Sequence, residues 1–262
     1  MKQYGVFHPL FLSFFSKALY RDIAKNWKGV AFSYLLLLLA LTWVPVMMQF
    51  HFNLSEGISR EAPQIVNQIP KITITKGELS IDAPVPYYII DTQSGEQIAA
   101  IDTSGQTTSI DQTRAFMLLT KKNLIMRQRH RAETRTYDLS DIKSFTLDRD
   151  SVMSWVQAFK KWFALAAYPF AVAGSFVYRV VQVLIYALIG MLFASILKTT
   201  LDYDALVRLS VISITPVVAL NTLRRLLDVH VPMTWLISFV IAMIYLFLAV
   251  KANADAEPAR SA

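Results

Sequence analysis

The sequence predicts a membrane α-helical fold of four transmembrane helices. A small β-rich extracytoplasmic domain is inserted between the first two, and an amphipathic helix precedes them. Three observations carry this. Of 262 residues, 54% belong to the AVILMFWYC set and only 17% are charged, against roughly 25% charged in an average soluble domain. Mean hydropathy is +0.39. Long uncharged runs bracket residues 51–150, a stretch that is instead polar and rich in turn residues. The composition excludes a disordered chain, a disulfide-stapled secreted domain and an ordinary cytosolic enzyme.

Residues 1–28 are expected to form a cytoplasmic amphipathic helix. Phe7, Phe11, Phe14, Phe15, Ala18 and Leu19 fall on one broad face at 100° per residue. Lys17, Arg21 and Lys28 lie on another, with Lys25 at the border. Such a helix can rest in the headgroup region, which makes these four cations candidate membrane-surface contacts. The alternative is an ordinary helix packed on its own bundle.

Residues 29–50 carry no charge and at 1.5 Å per residue cover roughly 33 Å, enough for a hydrocarbon core of about 30 Å. The run is too long for the apolar core of a signal peptide and lacks an A-x-A-like exit, so it reads as an uncleaved first span.

Residues 51–150 change character. Lys71–Thr75 and Glu78–Asp82 alternate apolar with polar around Lys76-Gly77, a hairpin signal. Further strands are expected at 87–91, 97–102, 115–120, 123–129 and 133–139, with turns at Ser94-Gly95, Ser104-Gly105 and Lys122-Asn123. Pro63 and Pro70 bracket a short helix.

From Ser151 the helical period returns. Val152, Trp155, Phe159, Trp162 and Phe163 follow i, i+3, i+4 spacing, which predicts an interfacial helix over 151–175 with its aromatics inward. A break is expected around Pro169 to Gly174, then a second span over 176–197 with Arg179 snorkelling to the outer interface. A third span covers 205–223, kinked at Pro216, and a fourth 233–250. Residues 251–262 form a polar cytoplasmic tail.

Sidedness follows from charge. Residues 1–28 hold five cations (Lys2, Lys17, Arg21, Lys25, Lys28) against Asp22 alone, which places the N-terminus in the cytoplasm. Both termini then lie inside and residues 51–160 outside, as in a multi-pass protein of a bacterial plasma (inner) membrane. Arg224 and Arg225, on the outer 223–232 loop, run against this rule. Residues 51–161 carry 14 Lys/Arg against 13 Asp/Glu, a near balance that argues against nucleic acid as a partner.

Candidate chemistry is sparse. Ile90-Asp91-Thr92 and Ile101-Asp102-Thr103 are a near-repeat reminiscent of a carboxylate pair sharing a proton, but Asp, Thr, Ser and Gly are also what turns demand. His8, His51, His130 and His230 are dispersed, and there is no cysteine. No His-Glu-x-x-His, Walker loop, nucleophile elbow or dinucleotide fingerprint occurs, so no catalytic, metal or cofactor residue is assigned and no cofactor is expected. The densest basic stretch contains Arg127, Arg129, Arg131 and Arg135. Alternation would put the first three on one strand face, a candidate contact for acidic headgroups or an anionic partner; a solvated face paired with nearby acids is the competing reading. Pro216 is a candidate kink that could line a cavity or be tolerated within the bundle.

Phe14-Phe15-Ser16, Trp27-Lys28-Gly29, Ile69-Pro70-Lys71-Ile72-Thr73-Ile74, Gly77-Glu78-Leu79-Ser80, Pro86-Tyr87 and Ile90-Asp91-Thr92 resemble a bacterial family of polytopic membrane proteins catalogued as a domain of unknown function. Some members are labelled maltodextrin-utilisation proteins, and the family is placed distantly in the Yip-like group. The resemblance runs from about residue 8 to 250. It implies an inner-membrane location and an extracytoplasmic insert, and it carries no catalytic residues across.

The expected role is a non-enzymatic accessory, scaffold or sensing subunit, with the lipid bilayer and a membrane protein as its partners. The alternatives are a component of a small-solute or lipid transport system working near Pro216, and a hydrolase using Asp91 and Asp102.

Overall fold

The computed structural model describes residues 2–127 and 133–256. The chain forms two compact units, a helical one from residues up to His51 and from Ala164 onward, and a mixed one over Phe52–Phe163. Among the described residues four helices are long and apolar enough to cross a bilayer: Val30–Val66, Arg149–Ile196, Tyr203–Leu226 and Thr234–Ala254.

The helical unit begins with a single turn, α1 (Pro9–Leu12), and a separate helix, α2 (Lys17–Asn26). The continuous amphipathic helix expected over 1–28 is therefore interrupted. Ser16 supplies the reason: it sits in extended backbone and its hydroxyl accepts from the Leu19 N–H, an N-cap that starts α2 afresh. The two halves of the apolar face also part company. Leu19, Ile23 and Trp27 are fully buried, whereas Phe7, Phe11, Phe14 and Phe15 are exposed. Helix α2 packs on its own bundle.

Helix α3 (Val30–Val66) starts in this unit and continues into the next. The expected stop at residue 50 marks only the end of the apolar run; backbone hydrogen bonding carries on, supported by the Glu56–Arg60 pair one turn apart at 2.8 Å. Helix α4 (Arg149–Ile196) is likewise unbroken, with Pro169 inside it. Proline removes one ladder hydrogen bond, and in an apolar setting the flanking bonds have no water to exchange with. The separate helices expected over 151–175 and 176–197 are one.

Helices α5 (Tyr203–Ser213) and α6 (Thr215–Leu226) form one apolar segment broken at Ile214, two residues before Pro216. Pro216 lacks the N–H that would continue the ladder, and its preference for a first helical turn lets α6 begin there. Asp202 caps α5, its carboxylate accepting from the Ala205 N–H at 2.8 Å. Helix α7 (Thr234–Ala254) closes the unit. Gly190 on α4 lets the bundle close up: a Cβ there would lie 3.2 Å from Leu206 on α5.

Among the described residues the mixed unit holds eight short strands: β1 (Ile72–Thr75), β2 (Glu78–Ile81), β3 (Tyr87–Ile90), β4 (Gln97–Asp102), β5 (Met117–Thr120), β6 (Asn123–Arg127), β7 (Thr134–Asp138) and β8 (Ser144–Leu147). They form a three-stranded sheet, β2-β1-β8, and a five-stranded sheet, β3-β4-β5-β6-β7. All pairings are antiparallel except β4 with β5. Ile72, Ile74 and Leu79 of the first sheet cluster with Ile101 of the second, while Ala100 and Leu118 pack with Ile110 of a short 3-10 helix on the opposite face. Within this unit Gln68 pairs with Ile90 in both directions, donating to its carbonyl at 2.8 Å and accepting from its N–H at 2.9 Å. Trp155, Phe159 and Trp162 are exposed, contrary to the expectation that they turn inward; their neighbours lie along the same helix, with Phe163 4.7 Å from the Phe159 ring and Lys161 over Trp162.

Candidate functional site

Several of the charged residues singled out by the sequence are engaged within this chain, among them Arg21, Arg127, Asp91 and Asp102 with its backbone. Arg21 donates from Nε to the Ala252 carbonyl at 2.7 Å, in the last turn of α7, and Lys17 lies 3.4 Å from Asp255 just beyond it. Asn253 returns a hydrogen bond to the Tyr20 carbonyl at 3.4 Å. A cation at a helix C-terminus meets unpaired carbonyls and the negative end of the dipole. Lys25 and Lys28 are exposed. Two of the four expected membrane-surface cations are thus tied to α7.

Arg208 is not among the residues that the sequence singles out; it lies within the third apolar run. Its side chain is 11% exposed. From α5 it donates through Nη2 to the Ala24 carbonyl and through Nε to that of Ile23, the latter at 3.3 Å, closing the C-terminal end of α2. Asp22 closes the other side. Its carboxylate, 6% exposed, accepts from the N–H groups of Gln3 and Tyr4, from Asn26 Nδ2 at 2.8 Å and from Trp27 Nε1 at 3.1 Å. Burial raises its pKa, and these four donors outweigh burial, so the carboxyl is held below its ordinary value.

Asp91 and Asp102 both build turns. Asp91 accepts from the Ser94 hydroxyl at 2.6 Å and the Gln93 N–H at 3.0 Å, and these donors lower its pKa. Asp102 is 1% exposed and accepts from the Ser104 hydroxyl and the N–H groups of Ser104 and Thr107. Burial pushes Asp102 up, but its donors prevail and its pKa is also lowered. The near-repeat is two Asx turns of similar sequence.

The basic stretch is divided by register. Met126 pairs with Arg135 and Arg127 with Thr134, which places Arg127 and Arg135 on opposite faces of the sheet. Arg127 reaches the 3-10 helix, donating to the Ile110 carbonyl at 2.9 Å and lying 3.6 Å from Asp111. Arg135 is exposed. Arg129 and Arg131 lie outside the described residues. Pro216 begins α6, beside a buried hydrogen bond of 2.8 Å between Thr215 and Tyr34 of α3.

One cavity in the helical unit brings polar side chains together from three apolar helices. It has a volume of about 140 Å³ and is lined by Thr42 and Trp43 of α3, Ser175 and Arg179 of α4, and Asn221 and Arg225 of α6, among others. Trp43 Nε1 donates to Ser175 Oγ at 2.8 Å. Arg225 stands over the Trp43 ring, 6.0 Å from its centroid. Arg179 donates to the neutral amide oxygen of Gln182, which in turn donates to the Tyr186 hydroxyl at 2.7 Å. Instead of snorkelling free, Arg179 lines this cavity. Hydropathy alone placed both arginines at span ends; it carried no sign that they converge.

A family model described as "Protein of unknown function (DUF1189)" matches residues 7–250. The chain is also 24% identical over 127 residues to the uncharacterized protein RP489 of Rickettsia prowazekii (strain Madrid E), an alignment covering 43% of each chain. It thus spans less than half the length of that relative. No solved structure matches.

Proposed function

The chain belongs to the DUF1189 family, and we propose that it is a non-enzymatic accessory, scaffold or sensing subunit of a bacterial plasma membrane that works with a membrane-protein partner. One observation carries this reading: Asp91 and Asp102, the pair best suited in sequence to acid–base chemistry, are both consumed by their own turns. A shared-proton pair needs one carboxyl held protonated, and both of these are shifted the other way.

The membrane placement is supported by the four apolar helices and by the contacts joining α2 to the end of α7. Those contacts bring the two ends of the chain together, as an even number of crossings requires. On this reading four crossings leave both termini in the cytoplasm and the mixed unit outside. Exposed Trp155 and Trp162 suit a membrane–water interface, where amphipathic rings collect.

Reporter fusions in the 140s and at Asp228 test the placement; both should report the outer side, and a cytoplasmic signal at Asp228 would refute four spans. Affinity capture of the full chain from detergent-solubilised membranes should yield a stoichiometric membrane protein, and loss of both Asp91 and Asp102 turns should matter only through stability. A second reading, a small-solute or lipid transport component, draws on the helix break at Ile214 beside buried Ser210 and Ser213. Solute uptake by the purified chain in liposomes would favour it over the accessory role.

A further inference from the structure

We infer that the cavity between Arg179 and Arg225 binds a phosphate-class oxyanion, supplied either by an anionic phospholipid headgroup or by free inorganic phosphate. The inference rests on the membrane placement proposed above and adds a ligand to it. Two guanidiniums line one cavity of about 140 Å³, roughly ten times the volume a single water needs. No acidic side chain is among the residues that line it, and neither arginine has an ion pair among the described residues.

The donor inventory fits the same ligand. Arg179 spends one N–H on Gln182, which leaves most of its fork free. Arg225 makes a ring contact with Trp43 and presents its guanidinium at the rim, where it is exposed. The Ser175 hydroxyl accepts from Trp43 and so keeps its own proton to donate. Thr42 and Thr222 donate back to carbonyls of their own helices, so their hydroxyl protons are not in play. What remains is a set of donors with two fixed positive charges and no acceptor of matching charge. Planar guanidiniums recognise phosphate oxygens bidentately.

Electrostatics supplies the driving force. Two like charges converging between apolar helices are costly in lipid, and a bound anion offsets both at once. The leucine and valine side chains that complete the wall, Leu39, Val46 and Val218, suit a headgroup whose acyl chains lie alongside.

The full chain, purified in an uncharged detergent, would be tested in two arms. One measures retained phosphatidylglycerol against phosphatidylcholine by native mass spectrometry, the other the binding of radiolabelled inorganic phosphate by equilibrium dialysis. Arg225→Gln should weaken binding about tenfold or more, Arg225→Lys should restore part of it, and Arg60→Gln, an exposed charge in the mixed unit, should change nothing. Preferential retention of phosphatidylglycerol identifies the lipid source; phosphate binding with the same variant dependence and no lipid preference identifies the free anion. Arg179→Gln gives a second reading of the site, and if that variant fails to fold, the rim residue Arg225 decides alone. The inference is overturned if the wild-type chain retains neither probe, or if Arg225→Gln binds both as the wild type does. The reporter fusions read membrane placement independently, so failure of the placement and failure of the site are told apart.

Discussion

Removing Arg208 should free α2 from the bundle, and the size of the effect follows from its contacts. In Arg208→Met the stem volume is kept and the guanidinium is lost. The bond from Nη2 to the Ala24 carbonyl is charge-assisted and nearly buried, since the side chain is 11% exposed; such bonds contribute about 2 kcal/mol. The Nε contact to Ile23 is long at 3.3 Å, and the approach to Asp202 is 4.0 Å with that carboxylate 73% exposed, so both add little. A loss of about 2 kcal/mol raises the open population of α2 roughly thirtyfold. Trypsin reads this directly, because Lys17, Arg21 and Lys25 lie on α2 itself. At low protease, cleavage follows the open population. Limited digestion of the full chain in detergent should therefore show cleavage after Lys17 and Arg21 rising roughly thirtyfold. A rise below about threefold would mean that Arg208 does not hold this helix and that the burial of Leu19 and Ile23 suffices.

Three further outcomes are expected. Gly77 has φ +80°, and a Cβ there would lie 2.6 Å from the Ser140 Cα, so Gly77→Ala should cost about 2–4 kcal/mol from backbone strain and overlap together. Gly95 has φ +72° with nothing within 4 Å, so Gly95→Ala should cost only about 1 kcal/mol; hydrogen exchange on the mixed unit separates the two. The folded-state pKa of Asp22 is depressed, so its contribution is present above the unfolded value of about 3.9 and is lost as pH falls through the folded value. Protection of residues 3–27 should fall below about pH 4, and Asp22→Asn should weaken it at neutral pH and flatten the acid dependence. Finally, neutralising Lys25 and Lys28, which are exposed, should raise the inverted fraction read by a reporter at Asp228 more than it lowers stability, whereas Arg21→Gln should do the reverse.

Local signals were legible where neighbours in sequence are neighbours in space. The β1–β2 hairpin is written in alternation around Lys76-Gly77, and both residues have positive φ. Strand β8 was missed because Ser144–Leu147 pairs with β1, far upstream, and four residues carry too little pattern to announce that. The parallel pairing of β4 with β5 is non-local in the same way. Hydropathy located the apolar runs but misplaced helix ends, since apolarity stops at Phe50 while the hydrogen-bonded helix runs to Val66. Alternation along one strand correctly separates faces, yet it says nothing across a connection; only the Met126–Arg135 register puts Arg127 and Arg135 apart.

The same distinction explains why charge counts mislead at both ends of the helical unit. A cation tallied as surface charge can instead be a donor to a carbonyl that sequence spacing cannot reveal. Arg21 meets Ala252 across 231 positions and Arg208 meets Ala24 across 184. Arg224 is a local case, donating to the Val229 carbonyl at 3.0 Å just past the end of α6. The Arg225 guanidinium instead faces a ring and an open cavity. Arg179 and Arg225 line a cavity with no acidic side chain among its lining residues and have no ion pair among the described residues, so they are left needing a counter-charge. Helices with few acids could have paired these arginines cheaply with a single carboxylate. Leaving them together is intelligible if the balancing anion comes from outside the chain.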